Sequence, residues 1–205
     1  MSEAAAETIR SAATVVLVRR DPSGPQVLMG MRGAGAVFMP SKYVFPGGGV
    51  DAADHGATVA TGLSALCQAR IAQRVPADAP SAAAVAACAL RELTEETGLH
   101  LQPGPATMRF IFRAITPPGR SRRFDARFFL IDADHVLGDA QDFSAASDEL
   151  SHLHWIGTDA ARALDLPFIT EVVLAEVAAL LSGAPDQGVP FFDNSGPVPT
   201  FRRLV

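Results

Sequence analysis

The sequence predicts an α+β layered fold in which a mixed β-sheet lies between helices. Two observations lead to this prediction. Short apolar runs typical of strands are interspersed with stretches of helical periodicity, without the strict alternation of strand and helix that characterises a fully parallel sheet. The chain has 205 residues, of which 48% are hydrophobic, and this is enough for one well-packed core. We therefore expect a single domain over residues 1–205.

The predicted strands begin with a hairpin. Residues 13–20 (ATVVLVRR) and 26–33 (QVLMGMRG) are apolar runs joined by the turn-forming sequence DPSGP. A third strand, KYVFP, leads directly into Gly47. Farther along, TMRFIFRAIT and RRFDARFFLIDA predict two antiparallel strands, and ELSHLHWIG predicts another.

Helical patterns separate these strands. One pattern runs from about Thr58 to Arg74. A second begins after Ser81, whose hydroxyl is suited to an N-cap, and reaches Thr97, where Gly98 is suited to the C-cap. DAARALDL and TEVVLAEVAALLSG predict two more helices. The Pro- and Gly-rich tail, APDQGVPFFDNSGPVPTFRRLV, is expected to be irregular.

Composition and charge exclude several classes of protein. The formal net charge of -5 disfavours a general nucleic-acid binder, which usually carries a basic stripe. No run approaches the roughly 18 apolar residues that span a bilayer, and the first residues lack the features of a secretory signal. Cys67 and Cys88 are not at metal-ligand spacing. We therefore expect a cytoplasmic protein with neither a membrane nor a nucleic acid as partner.

Three glutamates crowd onto the end of the second predicted helix. Glu92, Glu95 and Glu96 are related by i+3 and i+4, so they share one side of the helix and repel one another. They also precede Gly98, where the negative end of the helix dipole disfavours acids. One interpretation is a solvated acidic face, partly compensated by Arg91. The other is a site for a hard cation such as Mg²⁺ or Mn²⁺, which would turn the repulsion into attraction.

Two stretches of the chain together resemble the Nudix box. In GGGVDAAD, Gly48 and Asp54 match the first part of the family pattern, with aspartate where the family has glutamate. In RELTEETGL, every defined position of the second part is matched. The spacer between them, residues 55–90, is much longer than in the family, which predicts a helical insertion at about 56–84. This insertion, with VFPGG before it and RRFDARFF after it, is similar to the branch that includes the peroxisomal coenzyme A diphosphatases.

The resemblance implies a fold and an activity. The fold is the Nudix-type α/β/α sandwich, with a helical insertion within the Nudix box. The activity is hydrolysis, dependent on Mg²⁺ (or Mn²⁺), of the pyrophosphate bond in a nucleoside diphosphate linked to another moiety. A coenzyme A derivative, a dinucleotide and a compound of the ADP-ribose type all stay open as this small-molecule partner. The alternative is a non-catalytic Nudix-like module that binds a nucleotide and has a regulatory role.

The resemblance also assigns roles to individual residues. Its metal ligands correspond to Glu92, Glu95 and Glu96, with the carbonyl oxygen of Gly47 as a further ligand. The general base is either a Nudix-box glutamate or Glu149, from a later loop. The catalytic residues are therefore expected to be Glu92, Glu95, Arg91 and Glu149, with Arg91 orienting a glutamate. The residues expected to brace the loop, by hydrogen bonds or a salt bridge, are Gly48, Asp51 and Asp54.

Substrate contacts are predicted for three further residues. Arg123 and Arg127 are able to bind a phosphate through bidentate contacts, and pairing with Asp125 is the competing interpretation. Tyr43 is placed either to stack on a base or to pack in the core of its strand. Trp155, the only tryptophan, is expected in the core. The inserted helix is a candidate lid or homodimer contact.

Overall fold

A central β-sheet with helices on both faces forms the protein in the computed structural model, which describes residues 8–57, 62–102, 104 and 106–205. Within these residues the sheet has nine strands. They are β1 (Ile9–Asp21), β2 (Gly24–Arg32), β3 (Tyr43–Val44), β4 (Gly47–Gly49), β5 (Arg109–Ile115), β6 (Arg123–Asp132), β7 (Leu150–Gly157), β8 (Val189–Asp193) and β9 (Thr200–Leu204). The helices are α1 (Ala65–Ile71), α2 (Ala82–Thr97), α3 (Thr158–Ala161) and α4 (Phe168–Leu181). None of these described helices is both long and apolar enough to cross a membrane.

The sheet is mixed, as predicted. Its main path runs β3-β2-β1-β6-β5-β8-β9, with β4 added to β1 and β7 added to β2. The β1–β6 and β5–β8 pairs are parallel, and the other pairs are antiparallel. The predicted α+β architecture is therefore confirmed.

Strands β1 and β2 diverge beyond the turn that joins them. They pair only near that turn, from Val18↔Val27 to Asp21↔Gly24. The first half of β1 pairs instead with β4, and the end of β2 pairs with β3. Strand β7 pairs with β2 from Gln26 to Arg32. The divergence brings β4, which carries the predicted glycine turn, into the sheet beside β1, and α2 packs over both strands.

Side chains of β1 alternate between two hydrophobic layers. Val15 lies on the side of α1 and α2, where it belongs to the same buried cluster as Leu93. Val16 lies on the side of α4, where it belongs to the same buried cluster as Val173. Since successive side chains of a strand point to opposite faces, each face of the sheet buries its own helical layer. This is the predicted α/β/α sandwich.

Both caps of α2 agree with the prediction. Ser81 caps the first turn, because its Oγ accepts a hydrogen bond from the Ala84 N–H at 3.2 Å. Gly98 ends the helix with φ at 74°, in the left-handed conformation that glycine adopts at little steric cost. The bounds of α2 therefore follow from local sequence alone.

The helix before α2 is shorter than predicted. Its predicted start at Thr58 lies outside the described residues, and within them only α1 is helical. Ser64 sets the start of α1, since its Oγ accepts a hydrogen bond from the Cys67 N–H at 3.1 Å. Arg74, the predicted end, has a left-handed backbone with φ at 53°, so the helix stops before it. The assignment of residues 56–84 as an insertion stays a prediction.

The prediction of an irregular tail is wrong. The tail forms β8 and β9, which pair antiparallel from Val189↔Leu204 to Asp193↔Thr200. Strand β8 also extends the sheet, because it pairs with β5 through Phe191 and its neighbour. Proline and glycine disfavour a strand locally, but burial of the apolar side chains of β8 against the sheet outweighs that preference.

A buried arginine joins the sheet to the segment that follows α1. Arg113, only 1% exposed, donates from Nε and Nη2 to the two carboxylate oxygens of Asp125, at 2.8 and 2.7 Å. It also donates to the carbonyl oxygens of Gln73 and Arg74, at 2.8 and 3.3 Å. Its guanidinium lies 4.2 Å from the ring centroid of Phe191 in β8. One side chain therefore connects the sheet, the end of the α1 segment and the tail.

We expect Arg113→Leu to lower the free energy of unfolding by about 3–5 kcal/mol, because a buried carboxylate and two carbonyl groups would lose their donor. The measurement is urea denaturation followed by circular dichroism. Arg109→Leu, at the exposed start of the same strand, is the matched control, with an expected change within about 0.5 kcal/mol. Equal losses in the two variants would contradict the role given to Arg113.

Candidate metal centre

The glycine turn and the acidic helix end meet in space. Gly48 lies so close to α2 that a Cβ atom built on it would overlap the carboxylate of Glu92, at 2.6 Å from Oε2. The N–H of Gly47 donates a hydrogen bond to Oε2 of Glu96 at 2.7 Å. Two of the predicted glutamates are therefore packed directly against strand β4.

Gly47 is constrained from the other side, by β1. A Cβ atom at this position would lie 2.7 Å from Cα of Thr14, a distance at which the backbone has to shift. The close pairing of β1 with β4 thus requires glycine at position 47. The two glycines have different roles, since one allows strand pairing and the other leaves room for a carboxylate.

Three carboxylates converge at this point. Glu92, Glu96 and Glu149 each offer an oxygen, and these oxygens all lie within 4.8 Å of one another. Glu92 and Glu96 are buried on α2, while Glu149 is exposed and is the residue just before β7. Oε1 of Glu96 is buried without a hydrogen-bond partner among the described residues. A buried oxygen without a donor, in a group of hard oxygen ligands, fits a divalent cation such as Mg²⁺.

Burial raises the pKa of both inner glutamates. It raises the pKa of Glu96 to about 8, with repulsion from Glu92 adding to the effect and the Gly47 N–H and Arg32 opposing it. Burial also raises the pKa of Glu92, against the hydrogen bond from Arg91. A nearby cation favours the ionised form of such groups, so its binding would lower both pKa values.

Arg91 holds the glycine turn and the helix together. Its Nε and Nη2 each donate to one carboxylate oxygen of Asp54, both at 3.0 Å. Its Nη1 donates to Oε1 of Glu92 at 2.8 Å and to Oε2 of Glu95 at 3.0 Å. Its Nη2 also donates to the carbonyl oxygen of Gly49 at 3.1 Å. The guanidinium thus links one carboxylate of the converging group to the glycine turn. That Arg91 orients a catalytic glutamate stays a prediction.

Asp54 lies where a bracing residue is needed. It is 4% exposed, in a 3-10 turn over Ala53–Gly56, and this turn carries the short side chain to Arg91. Burial opposes ionisation of Asp54, but hydrogen bonds from Arg91 and from the Asp51 N–H outweigh it and lower the pKa. Asp51 supports the same turn, since its Oδ1 accepts a hydrogen bond from the Ala53 N–H at 2.7 Å. An aspartate is therefore long enough for this contact.

Glu95 is not part of the converging group. Its side chain is 55% exposed and accepts a hydrogen bond from Arg91, one turn earlier on the helix. Glu149 takes its place beside Glu92 and Glu96. The structure therefore brings together two of the three expected helix ligands and the predicted loop carboxylate.

The three predicted substrate contacts lie in packed surroundings. Tyr43 packs in the hydrophobic layer on the α4 side, with its ring edge-on to His154 at 5.7 Å between centroids. Arg127 is fully buried, and its Nη2 lies 3.0 Å from Oδ2 of Asp125. This is the pairing with Asp125 that the sequence offered as the alternative to phosphate binding. Arg123 is buried and donates to backbone carbonyl oxygens.

Arg32 is a residue of the site that the sequence pattern does not single out. It ends β2 and pairs with Leu150, the neighbour of Glu149. Its positive charge opposes the rise in the pKa of Glu96 that burial causes. Its Nε is buried without a hydrogen-bond partner in the ranges that the structure describes. An arginine that ends an apolar strand is the only local signal, and strand pairing is what brings it to the carboxylates.

Solved structures similar to the chain are Nudix proteins. A NUDIX hydrolase from Alicyclobacillus acidocaldarius matches with a TM-score of 0.63 at 24% identity, covering 89% of this chain and 96% of that chain. The chain has the Nudix fold. It is shared by a MutT NUDIX hydrolase from Burkholderia pseudomallei, with a TM-score of 0.54, 19% identity and coverage of 83% and 99%. The NUDIX domain of Shewanella oneidensis NrtR, complexed with ADP ribose, has a TM-score of 0.57, 12% identity and coverage of 88% and 94%. Neither a family model nor a curated protein matches the sequence.

The close contact in this Nudix fold makes Gly48 a specific test of the carboxylate group. We expect Gly48→Ala to displace the Glu92 carboxylate and to weaken Mn²⁺ binding roughly 10- to 100-fold, measured by isothermal titration calorimetry. The matched control is Gly49→Ala, since among the described residues a Cβ atom there meets only the Ser11 carbonyl oxygen, at 3.9 Å. Equal Mn²⁺ affinity in the two variants would show that Glu92 does not bind the ion.

The pKa of Glu96 predicts how stability depends on pH in the metal-free protein. Its pKa is about 8 in the fold against an ordinary 4.5, so the folded state holds a proton that the unfolded state releases. This contribution to stability is complete below pH 4.5 and is lost as the pH rises through 8. We expect the Tm of the wild type, measured with chelator present, to fall more between these two pH values than the Tm of Glu96→Gln. Parallel Tm profiles would contradict the raised pKa.

Proposed function

We propose that the protein is a hydrolase, dependent on Mg²⁺ (or Mn²⁺), that cleaves the pyrophosphate bond of a nucleoside diphosphate linked to another moiety. The observation that carries this proposal is the convergence of Glu92, Glu96 and Glu149 around a buried oxygen that lacks a donor among the described residues. Its position at the junction of the glycine turn and α2 of a Nudix fold supports the same function.

Glu92, Glu96 and Glu149 would hold the ion, with the Gly47 carbonyl oxygen as the further ligand proposed from the family pattern. When bound, a divalent ion neutralises charge on phosphate oxygens and lowers the pKa of water. Arg91 keeps Glu92 in place through its hydrogen bond at 2.8 Å. Arg32, with its buried and unpartnered Nε beside Glu96 in the described part of the site, is suited to contact a phosphate.

Two carboxylates are suited to accept the proton of the attacking water. Glu149 is exposed within the converging group, and Glu95 is exposed at its margin. Substitutions of Glu149 and Glu95 distinguish an ion ligand from a general base. Loss of an ion ligand changes metal affinity, whereas loss of a base changes the rate at saturating metal. We expect Glu149→Gln to change both quantities and Glu95→Gln to leave Mn²⁺ affinity within about twofold of the wild type.

Three substrate classes are supported to different degrees. The ADP ribose bound to the Shewanella oneidensis NrtR domain supports a compound of the ADP-ribose type. An Ap4A hydrolase from C. elegans, similar with a TM-score of 0.50 at 15% identity, supports a dinucleotide. The VFPGG and RRFDARFF sequences support a coenzyme A derivative, although the second and third arginines of RRFDARFF are buried here. We rank the ADP-ribose type first, because a ligand of that class is bound to a protein with this fold.

A non-catalytic nucleotide-binding module is the second candidate function. Among the similar structures is the C-terminal domain of mouse MUTYH in a complex with human PCNA, with a TM-score of 0.51 and 13% identity. The fold alone therefore does not establish hydrolysis. The converging carboxylates favour the enzyme, since a binding module has no need for a cation beside its ligand.

A hydrolysis screen tests the proposed function, with a phosphatase added to release inorganic phosphate from the two phosphate monoesters that cleavage of the pyrophosphate bond produces. We expect ADP-ribose, NADH or coenzyme A to be hydrolysed with Mg²⁺ or Mn²⁺, and we expect Glu96→Gln to lower kcat roughly 100-fold or more, because Glu96 is the buried ligand. Glu171→Gln, on the exposed surface of α4, is the matched control and should retain full activity. Binding of these compounds by calorimetry without turnover would favour the binding module instead.

A further inference from the structure

Glu149 reaches the carboxylate group on a segment with no helix or strand of its own. We call residues 138–149 the Glu149 loop. The loop is acidic, with Asp139, Asp142 and Asp148 in addition to Glu149. Without an ion, Glu92 and Glu96 offer Glu149 no charge of opposite sign, although their oxygens lie within 4.8 Å of its own. Glu149 is held from two sides instead: β7, which begins at Leu150 and pairs with β2, fixes one side, and contacts within the loop fix the other.

Three contacts anchor the Glu149 loop. The indole N–H of Trp155 donates a hydrogen bond to the carbonyl oxygen of Ala140 at 2.8 Å. The N–H of Ser147 donates to the carbonyl oxygen of Glu95, at the end of α2, at 2.9 Å. Gly98 leaves room for the loop, because a Cβ atom there would lie 2.9 Å from the carbonyl carbon of Ala145. Trp155 provides the only side-chain anchor of the three, and it acts on the half of the loop farthest from Glu149 in sequence.

The ring of Trp155 is itself held in one orientation. Trp155 lies opposite Leu28 in the β2–β7 pair, and its ring packs against the core on the α2 side. The guanidinium of Arg19 lies over the ring at 4.6 Å from its centroid. A ring held by the core and by a cation directs its N–H to a constant point in space, and Ala140 is tied to that point.

Two local hydrogen bonds restrict the loop around Ala140. The side chain of Asp139 accepts a hydrogen bond from the Gln141 N–H at 2.9 Å, and that of Asp142 accepts one from the Ser144 N–H at 3.0 Å. Such Asx turns restrict the backbone on both sides of each aspartate. Phe143 is partly buried against the core and adds an apolar contact to the same segment.

We infer that Trp155 is a positioning residue of the metal centre, which sets the place of Glu149 through the Ala140 carbonyl. This inference rests on the proposed function, because it assigns to Glu149 the role of an ion ligand. Trp155 would then affect cation affinity in addition to packing in the core. Partners of ligating groups generally tune metal sites in this way, by orienting the ligand before the ion arrives.

The test is a Mn²⁺ titration by isothermal calorimetry on the full chain, without substrate. Trp155→Phe keeps an aromatic ring and removes the N–H, so we expect Mn²⁺ affinity to fall roughly fivefold. In a Glu149→Gln background the same substitution should have no further effect, since the residue to be positioned no longer carries its charge. Ser182→Ala is the matched control, because it removes a side-chain hydrogen bond to the Ala178 carbonyl oxygen at the end of α4.

A second variant covers the case in which Trp155→Phe fails to fold. Incorporation of benzothienylalanine at position 155 retains the two fused rings and replaces only the N–H by sulfur, and the same loss of affinity is expected. Unchanged Mn²⁺ affinity in both variants would overturn the role of Trp155, as would an equal loss in the Glu149→Gln background, while the proposed function would stand. A wild-type protein that binds no Mn²⁺ would overturn the proposed function and this inference together.

Discussion

The contact between Gly48 and Glu92 is the constraint that sets the geometry of the whole site. Any side chain at position 48 would occupy the space of the Glu92 carboxylate. The close approach of β4 and α2 therefore requires glycine at this position. Arg91 makes that approach electrostatically tolerable, since its guanidinium donates to Glu92 on the helix and to Asp54 on the turn. Backbone proximity and charge neutralisation therefore act on the same few atoms.

The site is assembled at the expense of local stability. Three glutamates at the C-terminal end of a helix oppose its dipole, and Glu96 is buried with one oxygen unpartnered among the described residues. Such departures from local preference are typical of places where function, not folding, selects the residue. A cation that binds only the folded state would return the lost stability through mass action. The fold thus supplies a rigid frame, and the ion would complete it.

Buried charge serves a different purpose on the other half of the sheet. Arg113 and Arg127 share the carboxylate of Asp125, and both are almost completely buried. The sequence around Arg127, RRFDARFF, resembles a phosphate-binding cluster because a sequence pattern shows charges without showing their partners. Neighbouring strands β5 and β6 bring the two arginines opposite each other, at Arg113↔Arg127. The guanidinium of Arg113 joins elements that lie far apart in the chain.

Features that depend on neighbouring residues could be predicted from the sequence, whereas those that depend on distant ones could not. The extent of α2 follows from Ser81 and Gly98, whose side chain and backbone freedom act within one turn of the helix ends. Spacing along that helix places Glu92 and Glu96 on one face, and the motif pairs them with the glycine turn. By contrast, the pairing of β7 with β2 is what brings Glu149 close to Glu92 and Glu96. The tail forms two strands because β8 pairs with β5 and β9 pairs with β8. Both outcomes follow from pairing between segments far apart in the chain, and a local pattern contains no record of which distant segment will lie beside it.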